Sequence, residues 1–316
     1  PNMWGYDSNY FRSNLWSIIV FYGKTCYNKI GDIMLENTKD MLEKAKNEKY
    51  AIPHFNINNL EWTRFILETC EEEKSPVILG VSEGAKKYMV GFSTVAEMVK
   101  AMIRELNITI PVALHLDHGS SVASCKEAID AGFTSVMIDA SKYSVEENIQ
   151  MTKEVVHYAH DKHVTVEAEI GHVGGEEDGV ADELAYAKVE DAVRLAKETG
   201  IDSLAPALGS VHGIYKGEPK LDFERMLKIK ELTNLPLVLH GGSGIPDVLI
   251  QKSITCGICK LNINTDLQIV WAKSVRQFLN ENQVVYDPRK IIKSGEQAMK
   301  NMIKEKIYLL RSNGKA

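Results

Sequence analysis

The sequence predicts an α/β fold in which eight parallel strands and their helices close into a (β/α)8 TIM barrel, with an extra N-terminal helix and a C-terminal helical tail. From residue 34 onward, short apolar runs alternate with longer amphipathic segments, which is typical of βα units around a parallel sheet. Eight such runs occur within about 230 residues, which suits a barrel of this kind. A chain of 316 residues with 44% hydrophobic content can bury the core that this fold requires.

The predicted elements follow one another along the chain, and Gly, Pro or Ser residues mark several of their ends. A helix over residues 38–49 is expected to cover the bottom of the barrel, and residues 288–311 are expected to form one long final helix. The strands are predicted at residues 50–57, 76–82, 112–118, 135–140, 165–171, 203–209, 237–241 and 259–266, and helices at 59–73, 121–131, 146–162, 189–199, 222–232 and 267–278.

Residues 1–33 differ from the rest of the chain because they are rich in aromatic side chains and lack the regular pattern. Their apolar run is far shorter than the roughly 20 residues that a membrane span needs. No basic stretch precedes this run and no A-x-A site follows it, so a signal peptide is not expected. We hypothesise that residues 1–33 are a translated leader or a lineage-specific extension, and that residues 34–316 form a single barrel domain.

Composition and charge favour a protein that acts on small molecules. The net charge of -6 and the absence of a Lys/Arg-rich stretch argue against binding to nucleic acid or an anionic membrane. The five cysteines are few and odd in number, so we expect no disulfide framework and a cytoplasmic location. Cys256 and Cys259 have C-x-x-C spacing, but no second pair accompanies them, and we interpret them as ordinary buried thiols.

Polar side chains follow every predicted strand. The strand ends read FNINN, GVSEG, HLDHG, MIDAS, EAEIG, ALGSVHG, VLHGGSG and NINTD. The carboxyl ends of the strands of such a barrel meet on one face, and that face holds the active site in barrel enzymes. The sequence therefore predicts an enzyme site at this rim.

Three histidines at matching rim positions predict a metal site. His118, His212 and His240 come at or just beyond the ends of the third, sixth and seventh strands. Three imidazoles with a fourth position open for substrate are typical of catalytic zinc. His115 is expected deeper in the barrel, as a packing or supporting group. Three further histidines fall on or just past an outer helix and are expected to be solvated: His157, His160 and His163.

Acidic residues accompany these histidines. Asp117 precedes a predicted ligand, where a nearby cation and partial burial would tune its pKa for proton exchange with a substrate hydroxyl. Asp139 and Glu169 end the fourth and fifth strands, and could hold a second metal position or orient the first set of ligands. Glu177 lies in the loop GGEEDG, which is either a solvated turn or a mobile lid that carries a proton-transfer carboxylate.

Phosphate binding is predicted on the loops after the last two strands. The runs GGSG at residues 241–244 and NINT at 262–265 are rich in backbone and hydroxyl donors, and barrels commonly bind phosphate there. A metal, an acid/base pair and a phosphate site together suit carbon–carbon chemistry next to a carbonyl. A lysine Schiff base would be the other route. Since no lysine ends the sixth or seventh strand and Lys260 lies too deep, the metal route is preferred.

The ordered motifs resemble the class II, zinc-dependent fructose-1,6-bisphosphate aldolases and the similar tagatose-bisphosphate aldolases. The resemblance runs from about residue 37 to the final helix, through FNINN, VSEGA, HLDHG, MIDAS, EAEIG, GGEEDG, LGSVHG, HGGSG, NINTD and YDPR. It implies reversible aldol cleavage of fructose 1,6-bisphosphate to dihydroxyacetone phosphate and glyceraldehyde 3-phosphate, as in glycolysis and gluconeogenesis. It also implies a catalytic Zn²⁺ and a monovalent cation, Na⁺ or K⁺, near the substrate phosphate.

The resemblance further implies a role for each site residue. Zinc ligands would be His118, His212 and His240, with Asp139 and Glu169 at an alternative metal position. Asp117 would exchange the proton of the C4 hydroxyl, and Glu177 would handle the proton at C3 of dihydroxyacetone phosphate. Residues implied to hold dihydroxyacetone phosphate are Gly213, Gly241, Gly242, Ser243, Asn262, Asn264 and Thr265. Asn56 and Ser82 would contact substrate, and Arg289 would reach the far phosphate from a neighbouring subunit, which implies a homodimer or homotetramer.

Two departures and three alternatives accompany this resemblance. Pro53-His54 stands where the family often has Gly-Ala, so we expect a different start to the first strand, and the 33-residue extension is outside the pattern. Tagatose 1,6-bisphosphate is an alternative substrate, although SEGAKKYM and YDPR favour fructose. A non-catalytic barrel subunit is less favoured because it should have lost ligands that are present here. A metallohydrolase would require an HxH pair on an early strand, and this chain has none there.

Overall fold

The computed structural model describes residues 35–316 apart from 178–179, 183 and 216, and at 176–177 and 180–182 it describes only the backbone. The hypothesis on residues 1–33 lies outside these residues. The strands described are β1 (Ile52–Asn56), β2 (Val77–Val81), β3 (Val112–Gly119), β4 (Ser135–Ile138), β5 (Thr165–Ile170), β6 (Gly174–Glu177), β7 (Val180–Asp182), β8 (Ser203–Pro206), β9 (Val211–His212), β10 (Leu237–Leu239) and β11 (Ile258–Ile263).

Eight of these strands close into a parallel barrel. Their order around the barrel is β1-β11-β10-β8-β5-β4-β3-β2. Every neighbouring pair in this ring runs parallel, as strands joined by helical crossovers must. The predicted TIM barrel is therefore confirmed.

Helices surround the barrel, and side-chain caps begin most of them. Asn37, Asn59 and Ser121 accept hydrogen bonds from backbone N–H groups of the first turn, and Ser144 forms a capping box with Glu147. The helices described are α1 (Thr38–Glu48), α2 (Leu60–Glu72), α3 (Glu83–Tyr88), α4 (Phe92–Glu105), α5 (Val122–Asp130), α6 (Val145–His160), α7 (Val189–Thr199), α8 (Phe223–Thr233), α9 (Asp247–Thr255), α10 (Thr265–Glu281), α11 (Pro288–Lys293) and α12 (Glu296–Leu309).

The C-terminal tail differs from its prediction, because it forms two helices where one was expected. The break falls at Ser294 and Gly295, between α11 and α12. A Cβ atom at Gly295 would lie 2.2 Å from Cδ1 of Trp271, so the chain passes the indole at a distance that only glycine allows. The tail turns where α11 meets the ring of Trp271 on α10.

The first four residues of the GGEEDG segment form a strand and not a solvated turn, while the prediction of a lid stays a prediction. These four residues form β6, which pairs antiparallel with β7 and parallel with β9 in a separate three-stranded sheet. Gly175 of β6 stands opposite His212 of β9. The backbone that leads to Glu177 is therefore tied by sheet hydrogen bonds to the segment that carries a predicted metal ligand.

The start of the first barrel strand, at Pro53 and His54, is regular in its pairing. Both residues pair in unbroken register with β11. The His54 ring is fully buried, and a Cβ atom at Gly80 of β2 would lie 2.0 Å from its Nε2 atom. Glycine at position 80 therefore leaves the space that the imidazole occupies inside the barrel.

The cysteines and outer histidines lie as predicted. Cys256 and Cys259 are buried and form no disulfide, and burial raises the pKa of the Cys259 thiol to about 12. His157, His160 and His163 are exposed. None of the helices in the described part of the chain is long and apolar enough to cross a membrane.

Candidate active site

Three imidazoles converge at the carboxyl ends of the barrel strands. One nitrogen each of His118, His212 and His240 lies within 4.8 Å of the others, and Nδ1 of His240 is 2.9 Å from Nε2 of His118. Zinc–nitrogen bonds of roughly 2.0–2.1 Å in a tetrahedron place ligand atoms about 3.3 Å apart. This value lies between the 2.9 Å distance from His240 to His118 and the 4.8 Å limit on all three, so the three side chains fit one zinc ion.

Burial keeps two of these imidazoles neutral, which is the form that binds a metal. Desolvation is the main cause that lowers the pKa of His212 and His240, and the neighbouring imidazoles lower both values further. A neutral imidazole offers a lone pair on one of its two nitrogens, and the hydrogen bond at the other nitrogen decides which. The hydrogen-bond partner of each ring therefore decides which nitrogen can bind the metal.

Carboxylates accept hydrogen bonds from the rear nitrogens of two of the rings. Nδ1 of His118 donates to Asp139 at 2.8 Å, and Nε2 of His240 donates to Glu167 at 2.9 Å. These bonds leave the lone pairs on Nε2 of His118 and Nδ1 of His240, the two atoms that face each other. Such carboxylate–histidine pairs are typical of metal sites, because they set the tautomer and the ring orientation.

An irregularity in β3 brings Asp117 and His118 to the same site. Consecutive residues of a regular strand point to opposite faces. The register between β3 and β4 shifts between Leu116 and Gly119, and His118 has a left-handed backbone with φ 52°. Non-glycine residues adopt this region rarely and at a cost of about 1–3 kcal/mol, commonly at functional sites. The consequence is that both side chains line the same cavity.

Two amides hold the Asp117 carboxylate. Asn56 donates to Oδ2 at 2.8 Å, and Asn262 donates to Oδ1 at 3.1 Å. Burial alone would raise the pKa of Asp117, but the imidazoles of His54 and His118 outweigh it and hold that pKa well below its usual range. Asp117 is thus an ionised, oriented carboxylate with lone pairs still available to accept a proton.

Next to the two amides that hold this carboxylate is a cavity of about 220 Å³. Most of the predicted phosphate-binding residues line it. The Oδ1 atom of Asn264 is buried there without a hydrogen-bond partner among the described residues. Ser243 accepts a hydrogen bond from the backbone N–H of Asp266, in the first turn of α10. A helix N-terminus of this kind attracts anions. The lining consists of Asn56, His212, Gly213, Gly241, Gly242, Ser243, Asn262, Asn264, Thr265 and Gln268.

A second cavity, of about 570 Å³, is lined by His118 and His212 of the candidate zinc site. His212 lines both cavities, so both border the candidate zinc site. Ser82 lies on its wall, where its hydroxyl also caps α3 through a 3.1 Å bond from the N–H of Ala85. The other predicted residues on this wall are Asp117, His118, Asp139 and Glu169.

Apart from the buried His240, two predicted site residues are not placed in these cavities. Arg289 lines neither cavity, its side chain is 88% exposed, and its guanidinium pairs with Asp287 at 2.9 Å. The side chain of Glu177 lies outside the described residues, although its backbone ends β6. The predictions for both residues stay predictions.

Several functional candidates were missed or undervalued by sequence reasoning. Gln268 lines the first cavity, and His172 lines the second and bonds through Nδ1 to the Ser141 hydroxyl at 2.8 Å. Glu167 and Lys260 lie in the barrel interior. The sequence pattern that could have identified them is the alternation of side chains along a strand. Residues two apart share a face, so Glu167 lies on the same face as Glu169, and Lys260 on the same face as Asn262.

Comparisons with known proteins agree with this geometry. A family model described as "Fructose-bisphosphate aldolase class-II" matches residues 36–315. The chain belongs to the class II fructose-bisphosphate aldolase family. It is 58% identical to a fructose-bisphosphate aldolase of Geobacillus stearothermophilus and 57% identical to one of Staphylococcus aureus strain Mu50, each over 89% of this chain and 99% of the relative.

Solved structures with the same fold are also aldolases by name. The YdjI aldolase of Escherichia coli K12 is 36% identical, with a TM-score of 0.78 over 90% of this chain and 100% of that chain. A structure described as a putative fructose-1,6-bisphosphate aldolase of Coccidioides immitis is 30% identical, with a TM-score of 0.79 over 87% of this chain and 96% of that chain. The barrel fold thus occurs in two solved structures that carry aldolase names.

Proposed function

We propose that the protein catalyses the reversible, zinc-dependent cleavage of fructose 1,6-bisphosphate to dihydroxyacetone phosphate and glyceraldehyde 3-phosphate. The observation that carries the proposal is the set of His118, His212 and His240, spaced for one ion beside the oriented carboxylate of Asp117. Family membership and the names of relatives at 57–58% identity support fructose over tagatose bisphosphate as the substrate.

The smaller cavity suits the phosphate of the dihydroxyacetone half. Backbone N–H groups of Gly241 and Gly242, the Ser243 hydroxyl and the start of α10 provide donors for phosphate oxygens. In this cavity Asn264 would gain the partner that its buried Oδ1 lacks, for example the predicted Na⁺ or K⁺ near the phosphate. The ketone carbon of the substrate would then lie beside the histidines, because His212 borders this cavity.

Zinc in this site would act as a Lewis acid that polarises the ketone oxygen next to the bond that breaks. Asp117 takes the proton of the C4 hydroxyl as the C3–C4 bond breaks, the C4 oxygen becomes the aldehyde oxygen, and the electron pair of the bond passes to the C3 side. Hydrogen bonds from Asn56 and Asn262 hold Asp117 in position for this transfer. Glu177 returns a proton to C3, and the reverse sequence forms the bond.

Asp139 and Glu169 have a further place in this proposal. Each offers an oxygen within 4.8 Å of a ring nitrogen of His118, which is the geometry of an alternative metal position. In the arrangement described here Asp139 instead accepts the hydrogen bond of His118, and Glu169 accepts one from the backbone N–H of Val173 at 3.0 Å. Asp139 therefore supports the zinc site through His118 whether or not an ion occupies the second position.

The larger cavity suits the aldehyde half and its far phosphate, with Ser82 on the wall. Arg289 does not line this cavity in its own subunit, and its exposed side chain pairs with Asp287. We propose that it contacts the far phosphate of a neighbouring subunit in a homodimer or homotetramer, and that the protein works in the cytoplasm.

The proposal is tested by release of triose phosphate from fructose 1,6-bisphosphate and from tagatose 1,6-bisphosphate, before chelation, after chelation and after zinc is restored. We expect cleavage that is lost with the chelator, recovered with zinc and faster with the fructose sugar. Equal rates on both sugars would broaden the substrate assignment. Failure of zinc-loaded protein to cleave either sugar, with and without residues 1–33, would refute it.

A further inference from the structure

A buried ion pair spans the barrel interior next to the candidate zinc site. The ammonium of Lys260 on β11 lies 2.8 Å and 3.0 Å from the two carboxylate oxygens of Glu167 on β5. Both residues are at most 1% exposed. Interiors of such barrels are usually filled by branched apolar side chains. A buried ion pair is weak evidence for a stabilising role, since apolar residues of similar volume often stabilise a core as well or better.

The hydrogen bonds of the pair are directed. Lys260 has three N–H donors, and its partners are Oε1 and Oε2 of Glu167 and, at 3.4 Å, Nε2 of His115. The ammonium is thereby saturated, and it fixes the plane of the carboxylate. Oε1 of Glu167 also accepts the 2.9 Å hydrogen bond from Nε2 of His240. The lysine thus orients the acceptor that faces the rear of one imidazole.

A separate contact reports the tautomer of His240. The side-chain amide of Asn262 lies 3.1 Å from Oδ1 of Asp117 through Nδ2, which identifies this atom as the N–H donor because a carboxylate only accepts. The same Nδ2 atom is 3.3 Å from Nδ1 of His240. Nδ1 therefore carries the lone pair, in agreement with a proton on Nε2.

We infer that Glu167 and Lys260 act as a positioning pair, which holds His240 with its proton on Nε2 and its Nδ1 lone pair aimed at the metal position. This inference rests on the proposed zinc site. It gives Lys260 a role other than that of a Schiff-base nucleophile, for which an ammonium with three occupied donors is unsuited. A pair with only a structural role would alter stability and leave zinc affinity unchanged.

The test compares two variants that both remove the buried charges. E167Q/K260M keeps an amide oxygen that can accept from His240, whereas E167L/K260M leaves Nε2 without an acceptor. Neither variant leaves a lone charge in the core, which single substitutions would do. Zinc dissociation constants are measured by competition with a chromophoric chelator, and the ligand field is read from the visible spectrum of the Co²⁺-loaded proteins. Ser135→Ala is the matched control, since it removes a 2.8 Å bond to His115 in the same interior without touching His240.

We expect E167L/K260M to bind Zn²⁺ about 10–100-fold more weakly than E167Q/K260M, with an altered Co²⁺ spectrum, and Ser135→Ala to bind as the wild type does. Equal zinc affinities of the two double variants would overturn the inference. Zinc binding that survives His212→Ala in the wild-type background would instead refute the proposed zinc site itself.

A measurement on the unmodified protein keeps the inference testable if E167L/K260M does not fold. Nitrogen-15 chemical shifts of the histidines in the zinc-free protein distinguish a protonated ring nitrogen from one with a lone pair. Protonated Nε2 and unprotonated Nδ1 in His240 are expected, and this pattern should be kept in E167Q/K260M. Protonated Nδ1 in the wild type would overturn the inference.

Discussion

Substitution of Gly175 by alanine tests whether the β6 strand positions catalytic chemistry. Gly175 has φ 104°, which L side chains rarely adopt, and it stands opposite His212 in the β6–β9 pairing. A Cβ atom there would lie 2.2 Å from the carbonyl oxygen and 2.6 Å from the backbone nitrogen of His212. Both are backbone atoms of a strand, so side-chain rotation cannot relieve the contact.

The size of the effect follows from this distance. Real Cβ atoms essentially never lie closer than 3.0 Å to such an atom. The 2.2 Å distance between the new Cβ atom and the His212 carbonyl oxygen must therefore grow by about 0.8 Å, which requires one of the two strands to move. A displacement of about 1 Å at a catalytic group can lower a rate roughly 100-fold. We therefore expect Gly175→Ala to lower kcat by about that factor. The barrel core is untouched, because β6 belongs to the separate three-stranded sheet, so the melting temperature should change little.

The assay is steady-state cleavage of fructose 1,6-bisphosphate by the zinc-loaded protein, with the zinc content measured in the same samples. Gly217→Ala is the control, since a Cβ atom there meets nothing within 4 Å. If Gly175→Ala keeps the wild-type kcat, β6 does not position a catalytic group and the role proposed for Glu177 is wrong. A loss of bound zinc would show that the contact acts through His212 instead.

Three further predictions concern stability. Burial alone would raise the pKa of Glu71, but hydrogen bonds from Lys74 and Thr109 lower it to about 2; because this folded-state pKa is depressed, its stabilisation is present above about pH 4.5 and is lost as pH falls towards 2. Urea unfolding should show Glu71→Gln to be about 1–3 kcal/mol less stable than the wild type at pH 7, and this difference in stability should shrink as pH falls from about 4.5 towards 2; a difference independent of pH would contradict this. Gly295→Ala should destabilise by about 1–3 kcal/mol in thermal unfolding, since its Cβ would overlap Trp271; an unchanged melting temperature would show that the tail moves freely. Chelation should lower the melting temperature and zinc should restore it, because a ligand of the native state stabilises it by about 2.7 kcal/mol at 100 times its Kd; indifference to chelation would argue against a zinc site.

The position of the site in the fold was predictable because it depends on sequence patterns that extend over only a few neighbouring residues. Apolar runs with a period of two mark the strands, and the residues after each run must lie at one end of a parallel barrel. His118, His212 and His240 could be assigned to this rim without any knowledge of their distances. The cavity that holds Gly241, Ser243 and the other phosphate-binding candidates has the same origin.

The contacts at the site were not predictable in the same way. Regular alternation places Asp117 and His118 on opposite faces, and only the register shift against β4 brings both to one cavity. Lys260 was judged too deep for catalysis, and the structure confirms its depth, but its contact with Glu167 joins residues 93 positions apart. The period of a strand predicts which residues of that strand lie on the same face. The residue that a side chain contacts across the barrel depends instead on the strand order and on the register between strands.

The sequence by itself determined the barrel, the order of its strands and helices along the chain, and the rim where polar chemistry gathers. It did so because hydrophobic period and turn residues act over a few neighbours. Tertiary structure alone decided the register shift between β3 and β4, the break of the tail at Gly295, the pairing of β6 with β9, and the Glu167–Lys260 pair behind His240. Each of these depends on the close approach of segments distant in sequence, and no local pattern encodes that approach.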